Sequence, residues 1–147
     1  MIDEIHFANI SFVSELIKNK DISPVELTEY MLRRIEKLDT RLNSFATVCA
    51  DYAINSAREA ESEIMTGNYR GILHGIPVAV KDLCYTLGIR TMGGLKVRRN
   101  FIPDFDATVV EKLRLAGAIL LGKAALTEGA LSGYNPEFDI PLNPWGE

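Results

Sequence analysis

Cysteine, histidine and long apolar runs are all scarce in this sequence. Its 147 residues contain two cysteines and two histidines. Cys49 and Cys84 have no close spacing, which argues against a disulfide framework and for buried thiols in a reducing compartment. His6 and His74 cannot build a metal site by themselves, and no Cys or His pair has ligand spacing. No metal and no cofactor are therefore expected. The longest stretch without a polar side chain, Leu115 to Gly122, has eight residues. A membrane helix needs about 20. Asp3 and Glu4 stand early and no apolar stretch of signal-peptide length is found there, so nothing points to secretion.

A basic surplus is also lacking. Sixteen Lys and Arg face twenty Asp and Glu, a formal net charge of −4. Nucleic-acid binders and ligands of acidic membranes need a basic footprint, so neither partner is expected. The local cluster Lys96, Arg98, Arg99 reads as a solvated loop face. What is present is ordinary for a globular protein: 47% apolar and 24% charged residues. A chain of this size buries roughly 68–70% of the surface its unfolded form exposes, enough for a real core. The expected location is cytoplasmic.

The first 70 residues read as helical. Ser11 is placed to cap a short helix through Val13, Leu16 and Ile17. Ser23-Pro24-Val25-Glu26 is a capping box with Pro at the first helical position. Leu27, Tyr30, Met31, Ile35 and Leu38 then recur at helical spacing, which predicts a helix over 24–38 and a turn at Asp39 to Asn43. Phe45 to Cys49 is β-prone. Ala50, Ala53, Ile54, Ala57 and Ile64 mark a third helix, stopped by Gly67 and Asn68. From Gly71 the texture changes. Ile76-Pro77-Val78-Ala79-Val80 reads as a buried strand ending in Lys81-Asp82. Asp106 is placed to cap a helix containing Val109, Val110, Leu113 and Leu115, and Ala118 to Leu121 reads as a second buried strand. Strand, helix, strand is the order of an α/β unit with a parallel sheet.

Two segments invite a chemical reading. Gly117 to Ala124 is one residue from a phosphate-binding loop, but Ala124 lacks the metal-binding hydroxyl and the middle residues are an apolar strand. No G-x-G-x-x-G occurs either. The sharper feature is Lys81, directly after an apolar strand. Open α/β sheets place their chemistry at the carboxyl ends of strands. A desolvated lysine has a depressed pKa and serves as a general base. The plainer alternative is a strand-end lysine that reaches water or pairs with Asp82.

Leu73-His74-Gly75-Ile76-Pro77-Val78-Ala79-Val80-Lys81-Asp82 resembles the lysine motif of the amidase signature family. Asp106-Ala107-Thr108-Val109-Val110, then Leu113 to Ile119, then Gly122-Lys123, resemble the block that follows it there. Thr127-Glu128-Gly129-Ala130 and Asn143-Pro144-Trp145 fit the next landmarks in order, and Ile22 to Leu27 resembles the family's opening. Gly94 and Ala124-Ala125 depart from common serine and Thr-Asn positions and blur the subfamily.

The resemblance implies an α/β fold: N-terminal helices (residues 1–70) packing on the first strands and helices of a mixed, mostly parallel sheet (residues 71–147), an incomplete amidase signature fold read as one truncated domain. It implies an amide-bond hydrolase with a Ser–Ser–Lys mechanism and Lys81 as general base. Leu131, Ser132 and Gly133 resemble a loop that lines the family's substrate pocket. The two serines belong to a Gly/Ser-rich loop that this sequence does not contain. The implied partners are a small-molecule amide substrate and amidotransferase partner subunits, and the isolated chain is expected to be inactive and to self-associate. The alternative is a noncatalytic interaction module or partner subunit with an amidase-like half-fold.

Overall fold

A computed structural model describes residues 2–131 and 133–146. Its helices are α1 (Ile10–Lys18), α2 (Pro24–Leu42), α3 (Ala50–Met65) and α4 (Thr108–Leu115), and its strands are β1 (Phe45–Val48), β2 (Pro77–Lys81) and β3 (Ile119–Ala124). The strands form one mixed sheet in the order β1-β3-β2. β2 runs parallel to β3, and β1 runs antiparallel to β3. The α/β reading therefore holds. Among the described residues, no helix is long and apolar enough to cross a membrane.

Period-two alternation along β3 covers both faces of the sheet. Ile119 and Leu121 meet Ala53 and Ala57 of α3, while Leu120 joins Val80 and Val110 of α4. Ala53 and Ala57 are fully buried, so the alanines of α3 let it lie close on the strand. A further cluster of Ile17, Ile22, Leu27, Ile64 and Ile76 ties α1, α2 and α3 to the approach of β2.

The capping box of α2 forms as read: Ser23 Oγ accepts from Val25 and Glu26 N–H, and the Glu26 carboxylate accepts from Ser23 N–H. Three other boundaries differ from the sequence reading. α1 is capped by Asn9, whose side chain accepts from Phe12 N–H at 2.8 Å, so Ser11 lies inside the helix. α2 runs on to Leu42 and ends at Asn43 in the left-handed conformation (φ 52°). Asp39 does not break it; its carboxylate accepts from Ser44 and Phe45 N–H and fixes the entry into β1. α4 has Ala107 at its cap position. Asp106 instead accepts from Leu87 N–H at 2.8 Å and pairs with Arg114 at 3.1 Å.

Candidate active site at the carboxyl end of β2

β2 and β3 end side by side, with Lys81 paired to Ala124. Asp82 N–H donates to Ala124 C=O at 2.9 Å and extends the ladder one residue further. Neighbouring residues on an extended chain point to opposite sides. Val80 and Asp82 are accordingly buried and Lys81 is exposed. Among the described residues, no hydrogen bond or ion pair engages the Lys81 ammonium. Its backbone is fixed by the sheet while its amine remains accessible.

Asp82 does not pair with Lys81. It is fully buried beside Lys123, which is also fully buried, with Nζ 3.8 Å from Oδ1. The other carboxylate oxygen, Oδ2, accepts from Met92 N–H at 2.9 Å and Gly93 N–H at 3.2 Å. Lys123 Nζ donates to Cys84 C=O at 2.7 Å and Thr91 Oγ1 at 2.6 Å. Burial pushes the Lys123 pKa down, opposed by the Asp82 charge. Burial pushes the Asp82 pKa up, opposed by the Met92 bond and the Lys123 charge.

The desolvated lysine of this sheet is thus Lys123. The sequence carries the signal: Lys123 interrupts an apolar run as sharply as Lys81 ends one. It stands inside the segment that mimics a phosphate loop. In the structure Ile119–Ala124 of that segment forms strand β3, as its apolar middle residues imply. Lys123 is sealed at 0% exposure, so no substrate atom can reach it. Lys81 can be reached.

The turn after Asp82 meets the second group of candidate residues. Gly93 C=O accepts from Gly129 N–H at 2.9 Å, and Glu128 N–H donates to Gly133 C=O at 3.1 Å. Gly94 lies against the same segment; a Cβ there would stand 2.9 Å from Thr127 C=O, at a φ of +68°. Leu131 is 93% exposed and Gly133 is exposed. Ser132 lies outside the described residues. No direct hydrogen bond joins Lys81 to Leu131 or Gly133 among the described residues; the connection runs through Asp82 and Gly93. Beside this turn is a cavity of about 280 Å³, lined by Asp82, Arg90, Gly94, Tyr134 and Glu137 among others. Arg90 borders it with its guanidinium tied to Ala46 C=O and Thr47 Oγ1.

Residues 26–147 match the family model described as Amidase. The chain belongs to the amidase family. It is 47% identical over 143 residues to the amidase-type protein AmiD of Mycobacterium tuberculosis, covering 97% of this chain and 30% of that one. It is 40% identical over 144 residues to a glutamyl-tRNA(Gln) amidotransferase subunit of Carboxydothermus hydrogenoformans, with the same coverage of 97% and 30%. An amidase family protein from Bacillus anthracis superposes with a TM-score of 0.86 at 33% identity, over 99% of this chain and 30% of that structure. The chain thus spans about 30% of the length of these amidase relatives.

A third buried titratable group lies at the opposite end of β2. His74 is fully buried. Its Nδ1 accepts from Arg70 N–H at 3.1 Å, which places the ring proton on Nε2, 3.1 Å from Glu63 Oε2. Gly117 closes over the ring; a Cβ there would meet His74 Cδ2 at 2.3 Å, so only glycine fits. Burial chiefly, and then the Arg70 charge, hold the His74 pKa below its ordinary value of about 6.5, against the pull of Glu63. A depressed histidine contributes stability that is complete above about 6.5 and is lost as pH falls through the folded value. Glu63, held ionised by its hydrogen bond to Arg70, loses its contribution only below about 4.5. The melting temperature should therefore fall as pH drops below about 6.5. His74→Asn keeps an acceptor for Arg70 N–H and should flatten that fall; an equal slope in both proteins would exclude His74 as the source.

Proposed function

We propose that this chain is the N-terminal part of an amide-bond hydrolase acting on a small-molecule amide, with Lys81 as general base. The observation that carries the reading is an accessible lysine, unpaired among the described residues, held at the carboxyl end of β2 in a chain of the amidase family. In its neutral form the Lys81 amine takes the proton of a bridging serine hydroxyl. That oxygen takes the proton of a second serine, whose Oγ attacks the amide carbonyl. The C–N bond breaks as the relayed proton passes to the leaving nitrogen, and water hydrolyses the resulting ester. This is a Ser–Lys variant of the triad.

The sequence contains no Gly-Gly-Ser-Ser run. Both serines, and the donors that stabilise the oxyanion, are assigned to sequence beyond these residues. We read residues 1–70 as a helical region packing on residues 71–147 within one truncated domain, and Leu131, Ser132 and Gly133 as a wall of the substrate pocket. Two free thiols support a cytoplasmic location. The relative named as belonging to glutamyl-tRNA(Gln) amidotransferase supports amidotransferase subunits as partners. Exposed Leu115, Leu131, Leu142 and Trp145 favour self-association of the isolated chain.

The isolated 147 residues should show no amide hydrolysis above buffer. Robust release of ammonia or amine that disappears in Lys81→Ala would require a nucleophile within these residues and would overturn the assignment.

A further inference from the structure

We infer that Asp82, Lys123 and Thr91 are positioning residues that lock the end of β2, and with it Lys81, to the loop carrying residues 127–131. The inference rests on the reading of Lys81 as the base. It deepens that reading, because none of the three touches a reacting atom.

The three side chains close a ring across four segments. Asp82 directly follows Lys81 and gathers Met92 and Gly93 N–H on one oxygen. Lys123 rises from β3 and reaches over to the turn at Cys84 and to Thr91. Thr91 has one hydroxyl proton, which goes to Ile89 C=O at 3.1 Å, leaving its lone pairs free to accept from Lys123. Gly93 sits at the exit of the ring. Its N–H is shared between the Asp82 carboxylate at 3.2 Å and the Asp82 backbone C=O at 3.0 Å, and its carbonyl holds Gly129 N–H. Displacement of the Thr91–Gly93 turn therefore moves Gly129 and the end of β2 against each other.

Burial makes the ring stiff. Asp82 and Lys123 are 0% exposed and Thr91 is 1% exposed, so water cannot replace a lost partner without opening the core. An apolar packing of the same volume would stabilise the fold as well or better. Charged groups in this place are explained by geometry: each fixes two or more directions at once.

The test is hydrogen exchange of backbone amides, read by NMR on the full chain. The informative amides are Asp82, Gly93 and Gly129. Ile119, whose N–H donates to Ile76 C=O at the far end of the sheet, is the reference. In Lys123→Met the three amides should exchange at least tenfold faster while Ile119 stays within about twofold. Thr91→Val removes the hydroxyl that accepts from Lys123 and donates to Ile89 C=O, with little change of shape, and should raise Gly93 and Gly129 about threefold or more; Thr91→Ser should restore parent rates. Should Lys123→Met fail to fold, the two Thr91 variants decide. Parent rates at Gly129 in Thr91→Val, or a rise at Ile119 equal to that at Gly129, would overturn the inference, the second because it reports general loosening. The outcome does not depend on turnover. A failure here leaves Lys81 as the base, and a failure of Lys81 as the base leaves this exchange pattern intact.

Discussion

Asp82→Ala should cost about 3–5 kcal/mol of unfolding free energy, measured by urea denaturation. The loss has two parts. The Lys123 ammonium stays buried and loses its counter-charge at 3.8 Å. Met92 N–H loses its acceptor in the interior, whereas Gly93 N–H keeps the Asp82 backbone C=O at 3.0 Å. An unpaired buried donor costs about 1–3 kcal/mol by itself. Domains are stable by only about 5–15 kcal/mol, so this single change removes a large fraction of the total. Both groups are fully buried, so solvent screening gives little relief. The double replacement Asp82→Ala with Lys123→Met removes both charges and should recover a large part of the loss. A cost below about 1 kcal/mol for Asp82→Ala would mean that water already enters the site.

Helix α2 shows what the sequence can reveal. Its capping box and apolar stripe are local, and both appear where the spacing places them. Its far end escapes the same reasoning because Asp39 reads as a turn residue. In the structure that carboxylate satisfies Ser44 and Phe45 N–H beyond the helix, a job that depends on where the chain goes next. Asp106 escapes it for a related reason: its carboxylate serves Leu87 and Arg114, nineteen and eight positions away.

The two strands of the parallel unit are legible from apolar runs bounded by glycine. The partner of Asp82 is not. Pairing of Asp82 with its neighbour Lys81 looks natural in one dimension, yet alternation sends them to opposite sides. The true partner, Lys123, comes from the adjacent strand, and register decides it. The link from Gly93 to Gly129 is likewise a product of tertiary folding and leaves no local pattern. Lys81 itself is legible, because a charge at the end of an apolar strand has a defined place in an open α/β sheet.

The Lys81 amine is accessible and unpaired among the described residues, whereas Lys123 is sealed and engaged by Cys84, Thr91 and Asp82. A lysine that moves the proton in the relay contributes on the order of 10²-fold or more to turnover. One that only reaches water contributes nothing measurable. Lys81→Ala shortens an exposed side chain, so it should leave the melting temperature within a few degrees of the parent, and any loss of rate reports on chemistry. The decisive measurement is kcat for amide hydrolysis by the complete enzyme built on this chain, parent against Lys81→Ala. The expected result is a fall of at least about 100-fold with the fold intact. A kcat within about twofold of the parent would show that Lys81 is structural and that the base lies elsewhere.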